Sequence, residues 1–136
     1  MTFSRHLSQK EEITSFEAVT LTITGMRGTQ VYEVLPRDKE AEFSLYTVLY
    51  RKGGDERRLE RRAVRPLSYA LAIFNGCELL SWNGFRGNHP RDVLDGTMFS
   101  FEATFNGGKA IHTSGSENFP DHYRAFTDAL RQATAP

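Results

Sequence analysis

Val19, Leu21 and Ile23 alternate with Ala18, Thr20, Thr22 and Thr24. A period-two pattern rich in β-branched residues predicts a half-buried strand. Gly25-Met26-Arg27-Gly28 reads as a turn, and Gln30 to Leu35, closed by Pro36, as the returning strand of a hairpin. Beyond a charged loop from Pro36 to Glu40, Phe43, Leu45, Thr47 and Leu49 alternate with Ser44, Tyr46, Val48 and Tyr50. Both faces of this third strand are apolar, which predicts a central place in the sheet. Arg57 to Val64 has two readings. It is an edge strand, with Leu59, Arg61 and Ala63 on one face and Arg58, Glu60 and Arg62 on the other, or a loop leading into a helix. Charge along an edge discourages edge-to-edge pairing.

The period then changes. Pro66 suits a first helical turn, and Leu67, Leu71, Ile73 and Phe74, widened by Ala70 and Ala72, predict a largely buried helix. Asn75-Gly76 reads as its stop, with Gly76 left-handed and Cys77 as the following apolar contact. From Thr97, Phe99, Phe101, Ala103 and Phe105 alternate with Met98, Ser100, Glu102 and Thr104. Asn106-Gly107 is a strong hairpin signal, and Lys109 to Thr113 is the partner strand. A last helix is expected to open at Asn118-Phe119-Pro120-Asp121, capped by Asn118, with Tyr123, Phe126 and Leu130 facing the core.

The order β-β-β-(β)-α-β-β-α predicts an α+β fold. It is expected to be a two-layer sandwich, an antiparallel sheet of five or six strands with two helices on one face. Residues 1–15 are polar and aperiodic and are expected to be a flexible N-terminal arm, with residues 16–132 a single domain.

Seventeen basic and seventeen acidic residues cancel, which argues against a dedicated polyanion binder. A single cysteine excludes an intrachain disulfide. No signal-like or membrane-spanning apolar run is present, so the expected location is the cytoplasm.

The candidate chemistry is sparse. His6, His89, His112 and His122 lack ligand spacing, and no metal or cofactor is expected. Cys77 sits among Phe74, Leu79 and Leu80 and reads as an inert thiol. Glu117 and Asp121 argue against a phosphate site at Ser114-Gly115-Ser116. Residues 51–65 hold seven arginines and lysines against three acids, but no aromatic residue interleaves Arg57 to Arg65. A salt-bridged solvated strand is the expectation there, and no nucleic-acid site.

The run Leu80-Ser81-Trp82-Asn83-Gly84-Phe85, then Asp95-Gly96, then Gly115-Ser116-x-Asn118-x-Pro120, resembles a C-terminal pattern in a family of small uncharacterised bacterial α+β proteins. The resemblance covers roughly residues 79–126 and implies no activity.

Two functions follow. The first is a non-enzymatic binding or accessory module using a sheet face or groove, with Tyr32, Tyr46, Tyr50 or Trp82 as exposed anchors. A homodimer is compatible with it. The second is a small-molecule binder or small enzyme built from the Trp82–Asp95 and Ser114–Asn118 loops. Its expected ligand-binding residues are Trp82, Asp95, Ser116 and Asn118 around one shallow concavity.

Overall fold

A computed structural model describes residues 11–26, 28–88 and 96–136. Among them, seven strands form one sheet: β1 (Phe16–Gly25), β2 (Gly28–Arg37), β3 (Glu40–Leu49), β4 (Glu56–Pro66), β5 (Arg86–Gly87), β6 (Met98–Phe105) and β7 (Lys109–Ser116). Two α-helices, α1 (Leu67–Gly76) and α2 (Tyr123–Ala133), and a 3-10 turn at Leu79–Trp82 complete the α+β fold. No described helix is long and apolar enough to cross a membrane.

The spatial order is β4-β3-β2-β1-β6-β7-β5. All neighbours are antiparallel except β5, which runs parallel to β7 through Arg86↔Ser114 and Gly87↔Gly115. The expected sheet of five or six antiparallel strands is therefore a mixed sheet of seven. β5 escapes sequence reading because two residues carry no period.

Arg57 to Val64 is a strand, the outer edge of the sheet. β3 is not central but lies next to that edge, and β1 takes the middle. Its apolar outer positions reflect cover from β4, where the long Arg62 side chain lies over Ser44 and Tyr46.

One sheet face carries Val19, Leu21, Tyr32, Val34, Phe43, Leu45, Phe99 and Phe101, all buried in one core with Phe74 of α1 and Phe126 and Leu130 of α2. The opposite face presents Thr20, Thr22, Ser44, Tyr46, Leu59 and Arg62. The pleat sends the residues of β1 and β3 outward because they alternate with core positions. Leu59, expected on one face with Arg61 and Ala63, instead lies on the face of Arg62 because a bulge shifts the register between Leu45 and Tyr46.

Helix boundaries depart from the sequence reading. Gly76 is the last residue of α1, and the left-handed residue is Glu78, at φ 52°. α2 begins at Tyr123 with no side-chain cap, so Asn118, Pro120 and Asp121 form a connection and not a first turn. Glu117 and His122, both left-handed, shape that connection.

The expected arm is tied down from Glu11 onward; residues 1–10 lie outside the described residues. Ile13 is buried in the core. Its N–H donates to Asn75 Oδ1 at 2.8 Å, and its carbonyl accepts from Asn75 Nδ2 at 3.0 Å. The Asn75 amide thus imitates one step of a β-ladder. Asn106 does similar work, accepting from the Thr14 N–H and donating to the Glu12 carbonyl. Asn75→Ala should lower stability by about 2 kcal/mol, because both polar groups of a buried residue lose their partner. Urea unfolding checks this, and an unchanged midpoint would show that the strap contributes nothing.

Candidate functional site

Of the four residues expected to form a concavity, the three described, Trp82, Ser116 and Asn118, gather at one end of the sheet, where Trp82 and Asn118 pack it closed. Trp82 is 0% exposed. Its ring meets Phe101 at 5.0 Å, Phe126 at 5.5 Å and Tyr123 at 6.2 Å, and Nε1 donates to the Asp121 carbonyl at 2.9 Å. The Trp82 carbonyl accepts from Thr113 Oγ1 at 2.7 Å. The ring is a core ring, not the open wall of a ligand site. Ser116 pairs with Met98 at the end of β7. Asp95 lies outside the described residues.

Asn118 has a structural task. Its backbone carbonyl lies against Gly87 and Gly115, where a Cβ on either glycine would overlap it. Gly96 is likewise pressed by the Glu117 side chain, whose carboxylate accepts the Thr97 N–H. The Glu117 N–H donates to the Thr97 carbonyl at 2.8 Å. Glycines from three segments therefore make room for one turn. Gly96, Gly115 and Asn118 thus have a packing role in this close approach of segments.

An open groove of about 870 Å³ lies beside that turn, lined by Thr97, Glu117, Phe119, His122, Tyr123 and Asp128 among others. Its size suits a small molecule. Some of its described polar groups are already engaged, within the groove or beside it. Asp128 pairs with Arg131 at 2.9 Å, and His122 Nε2 meets Glu78 Oε2 at 3.1 Å. Tyr123 stacks on Phe119 at 4.5 Å, and burial pushes its phenol up to about 12. Burial also raises the Cys77 thiol, which leaves it a poor nucleophile. No group of three or more metal-ligating side chains occurs among the described residues. His112 and His122 do not meet, since His112 pairs with Glu102 at 3.0 Å on the outer face.

The exposed anchors lie elsewhere. Tyr32 is buried, as is Trp82, whereas Tyr46 is half-buried on the outer face of β3 and Tyr50, just past the end of that strand, is 64% exposed. On β4, Leu59 is 45% exposed beside Tyr46, and Val64, 49% exposed, stands opposite Glu42 further along the same face. Leu59 stands directly opposite Tyr46 because a bulge shifts the register between Leu45 and Tyr46. Arginines frame this surface. The Arg57 guanidinium sits 5.4 Å from the Tyr46 ring centroid. Arg62 Nη2 donates to Tyr46 Oη at 2.9 Å, and Arg62 Nε to Ser44 Oγ at 3.0 Å. Glu42, buried beneath, is approached by Arg37 at 3.3 Å and Arg62 at 3.6 Å. Tyr50 Oη and Thr29 Oγ1 are 2.8 Å apart, which holds that ring over the sheet. Rings and guanidinium groups are thus pre-positioned on a rigid sheet, an arrangement that limits the entropy lost on contact.

Comparison of the chain with models of known families, with curated proteins and with solved structures finds no match.

Proposed function

We propose that this protein is a non-enzymatic, cytoplasmic binding module that docks a protein partner on the outer face of β3 and β4. The observation that carries this reading is the row of exposed Tyr50, Leu59 and Val64 with half-buried Tyr46, interspersed with Arg57 and Arg62, on a sheet face that carries no helix among the described residues. Tyrosine and arginine dominate the energetic centres of protein interfaces. Rings held by hydrogen bonds lose little freedom on contact, and the arginine stems add apolar area around them. The groove at α2 supports a second reading, small-molecule binding, on the strength of its volume. That reading ranks below the first because part of the groove's charge is already engaged, Asp128 with Arg131 and His122 with Glu78 beside it.

Site-specific photo-crosslinking tests the proposal. A photoreactive residue at position 59 or 64 should give the same discrete adduct in cells, absent from position 125 on α2. The partner so identified, purified, should bind the unmodified module directly. Tyr46→Ala should weaken that binding about 30-fold, the loss of roughly 2 kcal/mol expected for an anchor. Adducts from position 125 alone, or none from 59 and 64, would overturn the reading.

A further inference from the structure

β4 is an 11-residue edge strand with no strand on its outer side among the described residues. In an antiparallel ladder alternate N–H and C=O groups point away from the partner, so β4 offers a row of free backbone groups. Its two faces differ. The outer face holds Arg57, Leu59, Arg62 and Val64, and the helix-side face holds Arg58, Arg61, Ala63 and Arg65. Resting on the docking reading above, we propose that this edge receives an extended acidic segment of the partner as an added strand. Its apolar residues lie beside Leu59 and Val64, and its acidic residues beside Arg58 and Arg61.

Charge selects this occupant. β4 carries five arginines against two glutamates. A second copy of the chain would set arginine against arginine across the new ladder, which is repulsive. The available cations are identifiable. Arg65 is committed to the C-terminal carbonyls of Ala133 and Ala135, at 3.0 and 3.1 Å. Arg62 is held by Ser44 and Tyr46. Arg58 pairs with Glu60 at 2.9 Å in an exposed contact that a partner carboxylate can exchange at little cost. Arg61 feels Glu60 only through its field. Arg57 stands over the Tyr46 ring on the outer face. The cations open to a partner are therefore Arg58 and Arg61, both on the helix-side face, while the outer face offers apolar contact beside Leu59 and Val64. An alternation of acidic and apolar residues matches both faces at once, because side chains of an added strand follow the same period of two. Nucleic acid finds no interleaved aromatic platform on this strand.

The probe is a fluorescein-labelled peptide as long as β4, 11 residues, alternating glutamate and valine, titrated against the full chain by anisotropy. Binding should weaken several-fold between ~50 and ~150 mM salt, as screening of exposed charges requires. Arg58→Glu with Arg61→Glu should weaken it about tenfold or more. Methylating alternate backbone nitrogens of the peptide should abolish binding for one parity and spare it for the other, which charge attraction alone cannot produce. A lysine–valine peptide should not bind. Equal binding of that peptide, insensitivity to both methylation patterns, or tighter binding of a single-stranded oligonucleotide would each overturn the proposal. Adducts from positions 59 and 64 together with no peptide binding would overturn strand addition and leave face docking standing.

Discussion

Trp82→Ala is expected to lower stability by about 3–5 kcal/mol, the range for truncating a large buried aromatic side chain. The ring fills the junction between β6 and α2, in contact with Phe101 and Phe126. Its indole N–H also fixes the Asp121 carbonyl in the connection that leads into α2. Truncation therefore opens a cavity and frees the start of the helix together. Trp82→Phe keeps most of the volume and loses the hydrogen bond, so about 1–2 kcal/mol is expected. Guanidinium unfolding of both variants checks the order. A Trp82→Ala protein within about 1 kcal/mol of the parent would remove the ring from the core and restore it as the wall of a ligand site.

Gly115→Ala is expected to cost about 3 kcal/mol, the upper part of the range for overpacking. The added methyl would overlap the Asn118 carbonyl and reach 2.7 Å from the Phe99 ring. Neither neighbour yields easily. The carbonyl is backbone, and Phe99 is buried between Phe119 and Tyr123, at 5.5 and 4.9 Å. Gly76→Ala is the control, because nothing lies within 4 Å of its Cβ position and the residue is helical. That substitution should stabilise by about 0.5–1 kcal/mol through helix propensity. If thermal melts show the two alanines to be equivalent, the close approach of the Asn118 turn to the sheet is wrong.

These two sites also mark how far the sequence could be read. Local periodicity gave β1, β2, β6 and β7 and the Asn106-Gly107 turn, where both φ angles are positive. It gave the core face of α2, since Phe126 and Leu130 recur at helical spacing. What it missed is long-range. Gly87 and Gly115 are small because Asn118 packs on both, and no local pattern reports the contact between Gly87 and Asn118, 31 residues apart. Asn118 looked like a cap because a small polar residue before an apolar stripe has that signature. Tertiary packing instead draws its backbone onto the sheet and delays the helix to Tyr123.

The candidate site was half visible. Tyr46 and Tyr50 stood among the expected anchors, and the arginines of Arg57 to Arg65 were expected to be a salt-bridged face, as Arg58 and Arg62 are. The link between the two was not visible. It depends on the bulge that sets Leu59, and not Glu60, opposite Tyr46. One residue of register decides whether β4 shows leucine or glutamate on its outer face.

The central claim is that the binding surface is the β3–β4 side, while the Trp82–Asn118 end is structural. Backbone amide chemical-shift mapping with the glutamate–valine peptide tests it most directly. The account predicts perturbations running along Arg57 to Val64 and at Tyr46, with Thr97 and Glu117 to Arg131 unmoved. Perturbations concentrated at Thr97, Glu117 and the first turns of α2, with β4 silent, would contradict it.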